Sequence, residues 1–171
     1  MNSHPVARTG VLLRRLKSVE TRTKLQKIVH ILQVMGGPFP ERFDFQYRGT
    51  HSDEFAREIE AFIAEELVVE TAGSVGRPSI LRPTGNLLDL LELDPSLAEE
   101  PAWLAWADDL NAQSVGRLDG VSALLYFHQH RWPRAAWRKK FFEVKPQRAG
   151  DFEPCEALAL QLLGGASEVL A

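Results

Sequence analysis

The segment TRTKLQKIVHILQVMGGPFP, residues 21–40, constrains the fold more than any other. Leu25, Ile28, Ile31, Leu32 and Met35 recur at helical spacing, an apolar stripe at about 100° per residue. Gln26, His30 and Gln33 fall on another face, with Lys24 and Lys27 nearby. Gly36-Gly37-Pro38 ends the helix, because glycine accepts the left-handed cap and proline cannot continue it. A stripe this apolar has to be covered, so the segment predicts the spine of a packed domain.

The flanking elements follow from similar patterns. A first helix is predicted from about Val6 to Lys17, with a turn over Ser18–Thr21. Aromatic and polar residues alternate over Phe43–Arg48, which predicts a short strand. Gly49-Thr50-His51-Ser52 is a turn whose Thr50 or Ser52 caps a helix running to Glu66. Asp53 and Glu54 stand in its first turn, where the helix dipole favours anions. Leu67–Thr71 and Ser79–Arg82 read as two strands around the flexible tip 73–78, and a helix follows from Asn86 to about Leu93. Three helices followed by a β-hairpin with a glycine-rich tip is the order of a winged helix.

Asp94-Pro95-Ser96 marks a boundary, with Ser96 and Glu99 spaced as a capping box. Beyond it the pattern is helical: a segment around Trp103–Leu110, one around Leu118–His128, one carrying Trp137, Phe141 and Val144, and a last one from Phe152 to Leu163. The expected class is therefore α+β, mostly α. A winged-helix core with a small β-hairpin wing occupies residues 1–95, and a helical extension packed on it occupies 96–171.

Composition excludes several classes. The chain has 171 residues, 44% of them hydrophobic, enough for a real core. A lone cysteine, Cys155, supports no internal disulfide framework and suits a reducing compartment. The N-terminal residues lack the apolar core of a secretory signal, and no run approaches the roughly 18 apolar residues a spanning helix needs. A cytoplasmic protein is expected. Net charge is −3, but its distribution is uneven. Arg8, Arg14, Arg15, Lys17, Arg22, Lys24 and Lys27 face only Glu20 within residues 1–34, and residues 121–150 are similarly basic. The middle is acidic. Such segregation steers partners or complements a second copy; alternatively the basic ends lie against the acidic middle within one molecule.

Several blocks carry a likeness. RTKLQKIVHILQ, GTHSDEF, LVVETAG and LRPTGNLL, with LDGVSALLYF and FFEVKP further on, resemble the YwgA-like family and its phage-associated winged-helix relatives. Leu25-Gln26-Lys27 matches that family's Leu-Gln-Lys helix. Gly49 and Ser52 match its Gly-Pro-Tyr-Ser turn, whereas Thr50 and His51 depart from it. What the resemblance implies is a link to relatives of which some act as antitoxin-like partners that bind other proteins.

Chemistry is hard to find. His4, His30, His51, His128 and His130 do not share metal-ligand spacing, and two residues two apart on a helix point away from each other. Glu58, Glu60, Glu65 and Glu66 read as the solvated face of an amphipathic helix. Ser52 sits in no nucleophile elbow, and Gly73-x-x-Gly76 lacks the Lys-Ser/Thr of a phosphate loop. No enzyme activity, cofactor or metal is expected. A cleft lined by His30, His51 or the Glu58 helix would favour an enzyme instead.

The helix that would enter a major groove carries Asp53, Glu54, Glu58, Glu60, Glu65 and Glu66 against only Arg57, a poor match to phosphate. The expected function is therefore a non-enzymatic regulatory or protein-interaction module whose partner is another protein or a second copy. Asp53, Glu54, Arg57, Glu58, Glu65, Arg134, Arg138 and Lys139 are its candidate contacts. The alternative is a DNA-binding regulator using basic N-terminal and C-terminal segments, with Lys24, Lys27, Arg77, Arg138 and Lys140 as contacts.

Overall fold

The apolar stripe of residues 21–35 has partners on more than one side in the computed structural model, which describes residues 4–170. A π-helical turn, Val6–Gly10, leads into α1 (Val11–Leu16), and a two-residue strand β1 (Val19–Glu20) turns directly into α2 (Thr21–Val34). A hairpin follows, β2 (Asp44–Gln46) and β3 (Gly49–His51), before α3 (Asp53–Ala64), β4 (Val68–Thr71), β5 (Ile80–Pro83) and α4 (Gly85–Glu92). The remainder is helical: α5 (Ala107–Asn111), α6 (Val115–Gln129), α7 (Arg134–Val144) and α8 (Phe152–Leu170). The chain is mostly helical with little sheet, and no helix of the described residues is long and apolar enough to cross a membrane.

The main sheet is antiparallel in the order β1-β5-β4, with Val19 opposite Leu81 and Glu70 opposite the same residue on the other side. The segment 18–21, expected as a turn, contains β1: Val19 is buried at the sheet edge, and two residues are too few to show a period. A second correction concerns Gly49–His51, also expected as a turn. It is a strand paired with β2 in the register Phe45↔Thr50 and Gln46↔Gly49, so Tyr47-Arg48 is the hairpin tip. Gly49 closes that tip at φ +97°, a conformation side chains disfavour.

Caps follow local chemistry. Ser52 Oγ accepts from Phe55 N at 3.1 Å and starts α3, as its sequence position predicts, and Thr84 Oγ1 does the same for α4. Past α4 the cap is Asp94, not Ser96: Asp94 Oδ1 accepts from both Ser96 N (3.0 Å) and Ser96 Oγ (2.6 Å). The last helix runs through Gly164-Gly165 rather than stopping before them.

One continuous buried cluster extends from Val11 to Leu162 and includes α1, α2, α3, α6, α7 and α8 side chains. Every residue of α2 from Lys24 to Leu32 is buried, because the sheet side, the hairpin and α6 surround it. The expected polar line Gln26–His30–Gln33 is thus largely interior, and its groups must find partners there.

Candidate functional site

Those partners define the most unusual region of the molecule. Gln26 pairs with the Ser52 backbone in both directions, Nε2 donating to its carbonyl (2.9 Å) and Oε1 accepting from its N–H (3.0 Å). Next to it, Lys27 Nζ donates to Thr50 O at 2.6 Å and to Arg48 O at 3.2 Å. Two adjacent side chains of α2 therefore fasten the β2–β3 hairpin to the helix.

Lys27 Nζ also lies 3.4 Å from Asp119 of α6, whose other carboxylate oxygen accepts from Lys145 Nζ (2.7 Å) and Arg148 Nε (3.0 Å). Lys27, Lys145 and Asp119 are all buried. Burial pushes the Lys27 ammonium down from its ordinary pKa, against the pull of Asp119, with Lys145 adding a smaller like-charge repulsion. Gly49 packs directly on this cluster: a Cβ there would meet Asp119, lie 2.8 Å from Lys145 Nζ and 3.0 Å from Lys27 Nζ.

Behind the hairpin is a buried relay. His30 Nδ1 is 2.7 Å from Ser122 Oγ and Nε2 is 2.9 Å from Gln129 Oε1, while Ser122 Oγ also contacts Thr50 Oγ1. A carboxamide oxygen only accepts, so Nε2 carries the proton and Nδ1 accepts from Ser122. Burial lowers the His30 pKa to about 4, keeping it neutral. His30 is consequently a satisfied core group.

Two clefts open on either side of the hairpin tip and share Thr23, Lys27, Gln46, Tyr47 and Arg48 in their walls. One, of about 530 Å³, reaches His51, Arg57 and Glu60; the other, of about 810 Å³, reaches Asp119, Lys145 and Arg148. His51 and α3 thus do line a cleft, and His51 Nε2 stands 3.2 Å from Asp53 Oδ1. The neighbouring Ser52 hydroxyl is fully buried and occupied in capping α3, so it is not available to that histidine as a nucleophile. Among the described residues no group of three or more His, Cys, Asp or Glu side chains is placed to hold a metal ion.

The expected contact residues are scattered. Asp53, Glu54, Arg57 and Glu65 are exposed on or beside α3. Glu58 is not on the solvated face: it accepts from Arg8 Nη2 (2.9 Å) and Thr9 Oγ1 (2.6 Å), and Arg8 also binds Glu41 at 2.7 Å. Burial raises the Glu58 pKa, and the Glu41 charge adds to it. On α7, Arg134 reaches Glu156 (3.4 Å), Arg138 reaches Glu153 (2.6 Å), and Lys140 lies 3.8 Å from Glu143, while Lys139 is exposed. Arg77 is exposed at the β4–β5 tip. Lys24 and Lys27 are buried, Lys24 Nζ donating to Asn111 O at 2.6 Å, so neither presents its ammonium to a duplex. Arg15 bonds Glu100 and Asp108, and Arg22 bonds Glu60 and Glu70. Much of the charge segregation in the sequence is resolved within the molecule.

Of this cluster, only Lys27 stands among the contact residues expected from the sequence; Lys145 and Arg148 belong to the basic segment 121–150, and Asp119 carries no local signal of its own. The short blocks LQK, GTHS, LDG and VKP supply Lys27, Gly49, Asp119 and Lys145. Over 111 residues the chain is 32% identical to the uncharacterised protein YwgA of Bacillus subtilis strain 168, an overlap of 62% of this chain. The chain resembles YwgA. It spans 64% of YwgA's length, a little short of two thirds. No family model matches the chain, and no solved structure does. The likeness to YwgA thus stands beside a hairpin anchored by buried charge.

Proposed function

We propose that the chain is a non-enzymatic interaction module on a winged-helix core, docking another protein or a second copy through the outward face of α3. The winged-helix assignment draws support from the order helix, strand, helix, helix, strand, strand and from the sheet order β1-β5-β4, with the β2–β3 hairpin inserted between α2 and α3. In that arrangement α3 occupies the place of a groove-reading helix.

The observation that carries the reading is the charge on that face. Asp53, Glu54 and Glu65 are exposed there, Glu60 is exposed but paired with Arg22, and Arg57 is the one exposed cation of the helix. Such a surface repels phosphate and attracts a basic protein patch. A role resembling an antitoxin, in which the module masks a partner protein, belongs to the same class of function. The DNA-binding alternative retains Arg77, Arg138 and Lys140 but has Lys24 and Lys27 committed to internal contacts.

The test compares the wild type with Asp53→Lys/Glu65→Lys by light scattering and by affinity capture from the native cell. Retention of one specific protein, or a dimer, that the double variant loses at low salt is the expected result. Identical behaviour of both proteins would remove α3 as the docking face. Binding of duplex DNA with a steep salt dependence would instead favour the alternative.

A further inference from the structure

The larger cleft has a charge imbalance that the α3 face does not share. Its wall carries Lys27, Arg48, Lys145 and Arg148 against the single carboxylate of Asp119. Asp119 already takes a hydrogen bond from Lys145 and another from Arg148 Nε. The terminal guanidinium nitrogens of Arg148 have no hydrogen-bond partner among the described residues, and its side chain is 29% exposed. Arg48, at the hairpin tip, is exposed and likewise has no side-chain ion pair among the described residues. A carboxylate that holds Nε of an arginine fixes the plane of the fork and leaves its ends to a second oxyanion. The buried lysines supply positive potential behind that point.

Aromatic and amide groups share the cleft with these charges. Tyr47 is fully exposed at the hairpin tip, Phe45 lies deeper under Lys145 Nζ (5.6 Å from the ring centre), and Gln46 of the hairpin and Gln147 of the Pro146–Asp151 turn offer carboxamides. An aromatic platform next to a cationic corner suits a base carrying a phosphate, since every base has a face to stack. A volume of about 810 Å³ accommodates one such unit. From this geometry we infer that the cleft between the β2–β3 hairpin and the Pro146–Asp151 turn is a nucleotide subsite. The phosphate lies at the outer end of the Arg148 guanidinium, with the buried Lys145 behind it, and the base lies against Tyr47. The ligand is a nucleoside monophosphate unit, free or within a single strand. The site uses no residue of α3 and so stands or falls separately from the docking face proposed above.

The experiment is a calorimetric titration of the full chain with each of the four common nucleoside 5′-monophosphates, the matching nucleosides, inorganic phosphate and an oligodeoxythymidylate of eight nucleotides. At least one monophosphate or the oligonucleotide is expected to bind with a Kd below about 1 mM. The nucleosides should bind at least about tenfold more weakly, and Arg148→Ala should weaken the phosphate-bearing ligands by about tenfold or more. Tyr47→Ala, at a fully exposed position that cannot disturb the core, should weaken nucleotide binding while leaving inorganic phosphate unchanged. Competition between oligonucleotide and monophosphate tells which source is preferred. No binding by any phosphate-bearing ligand, or binding indifferent to both Arg148→Ala and Arg48→Ala, would overturn the site. Inorganic phosphate binding as tightly as the nucleotides would overturn the base platform.

Discussion

At the scale of single residues, the hairpin anchor rests on Gln26 and Lys27, with Gly49 and Asp119 fitted against Lys27. Gly49 needs both a positive φ and the absence of a Cβ, so Gly49→Ala should destabilise the fold by roughly 1–3 kcal/mol in urea titrations. Asp119→Ala leaves Lys27 and Lys145 buried without a counter-charge, and a loss of about 3–5 kcal/mol is expected from the same measurement. His30 gives a pH signature. Its folded pKa, about 4, lies below its unfolded value near 6.5, so between those values the unfolded chain binds more protons. Stability should therefore be fully present above about pH 6.5 and fall by up to about 3 kcal/mol as pH drops to about 4. His30→Gln should flatten that part of the curve; a wild-type curve already flat between pH 4 and 6.5 would contradict the buried neutral imidazole. Each of these residues was visible as part of a motif or pattern. That Lys27 and Asp119 touch is not legible in the sequence, because seven elements, β2 to α5, separate α2 from α6 and no local period links them.

At the scale of elements, the helices with strong periodicity lay close to their predicted bounds, α2 and α3 foremost. Their ends are set by short-range chemistry, glycine after α2 and the Ser52 hydroxyl before α3. Ser52→Ala should accordingly cost about 1–2 kcal/mol, read from thermal or urea unfolding. The two missed strands were short and drew on distant partners. β1 forms where Val19 and Glu20 meet Leu81 and Ile80, and β3, paired with its neighbour β2, is held to α2 by Lys27 at the Thr50 carbonyl. Faces were harder to read than elements. The carboxylate of Glu58 looked solvated in a helical projection, yet Arg8 from the N-terminal turn covers it. Arg8→Met should strand Glu41 and Glu58 and destabilise by roughly 3–5 kcal/mol, with the loss smaller in acid where the carboxyls are protonated.

At the scale of the whole molecule, α2 against α6 joins the two halves of the chain, and the buried cluster is continuous across residue 95. Cooperative unfolding should follow. All four tryptophans lie between residues 103 and 137, so their fluorescence reports the C-terminal half, while amide signals report both. Coincident urea transitions by fluorescence and circular dichroism are expected, and two separated transitions would mean that residues 1–95 and 96–171 unfold independently. By itself the sequence determined the helical periods, the Ser52 cap of α3, the mostly helical class and the acidic character of the α3 region, because each depends on residues a few positions apart. Only the tertiary structure decided which charges are neutralised internally and which remain exposed. That outcome depends on burial and on distances between segments remote in the chain, as when Asp119 draws Lys27, Lys145 and Arg148 to one point beneath Gly49.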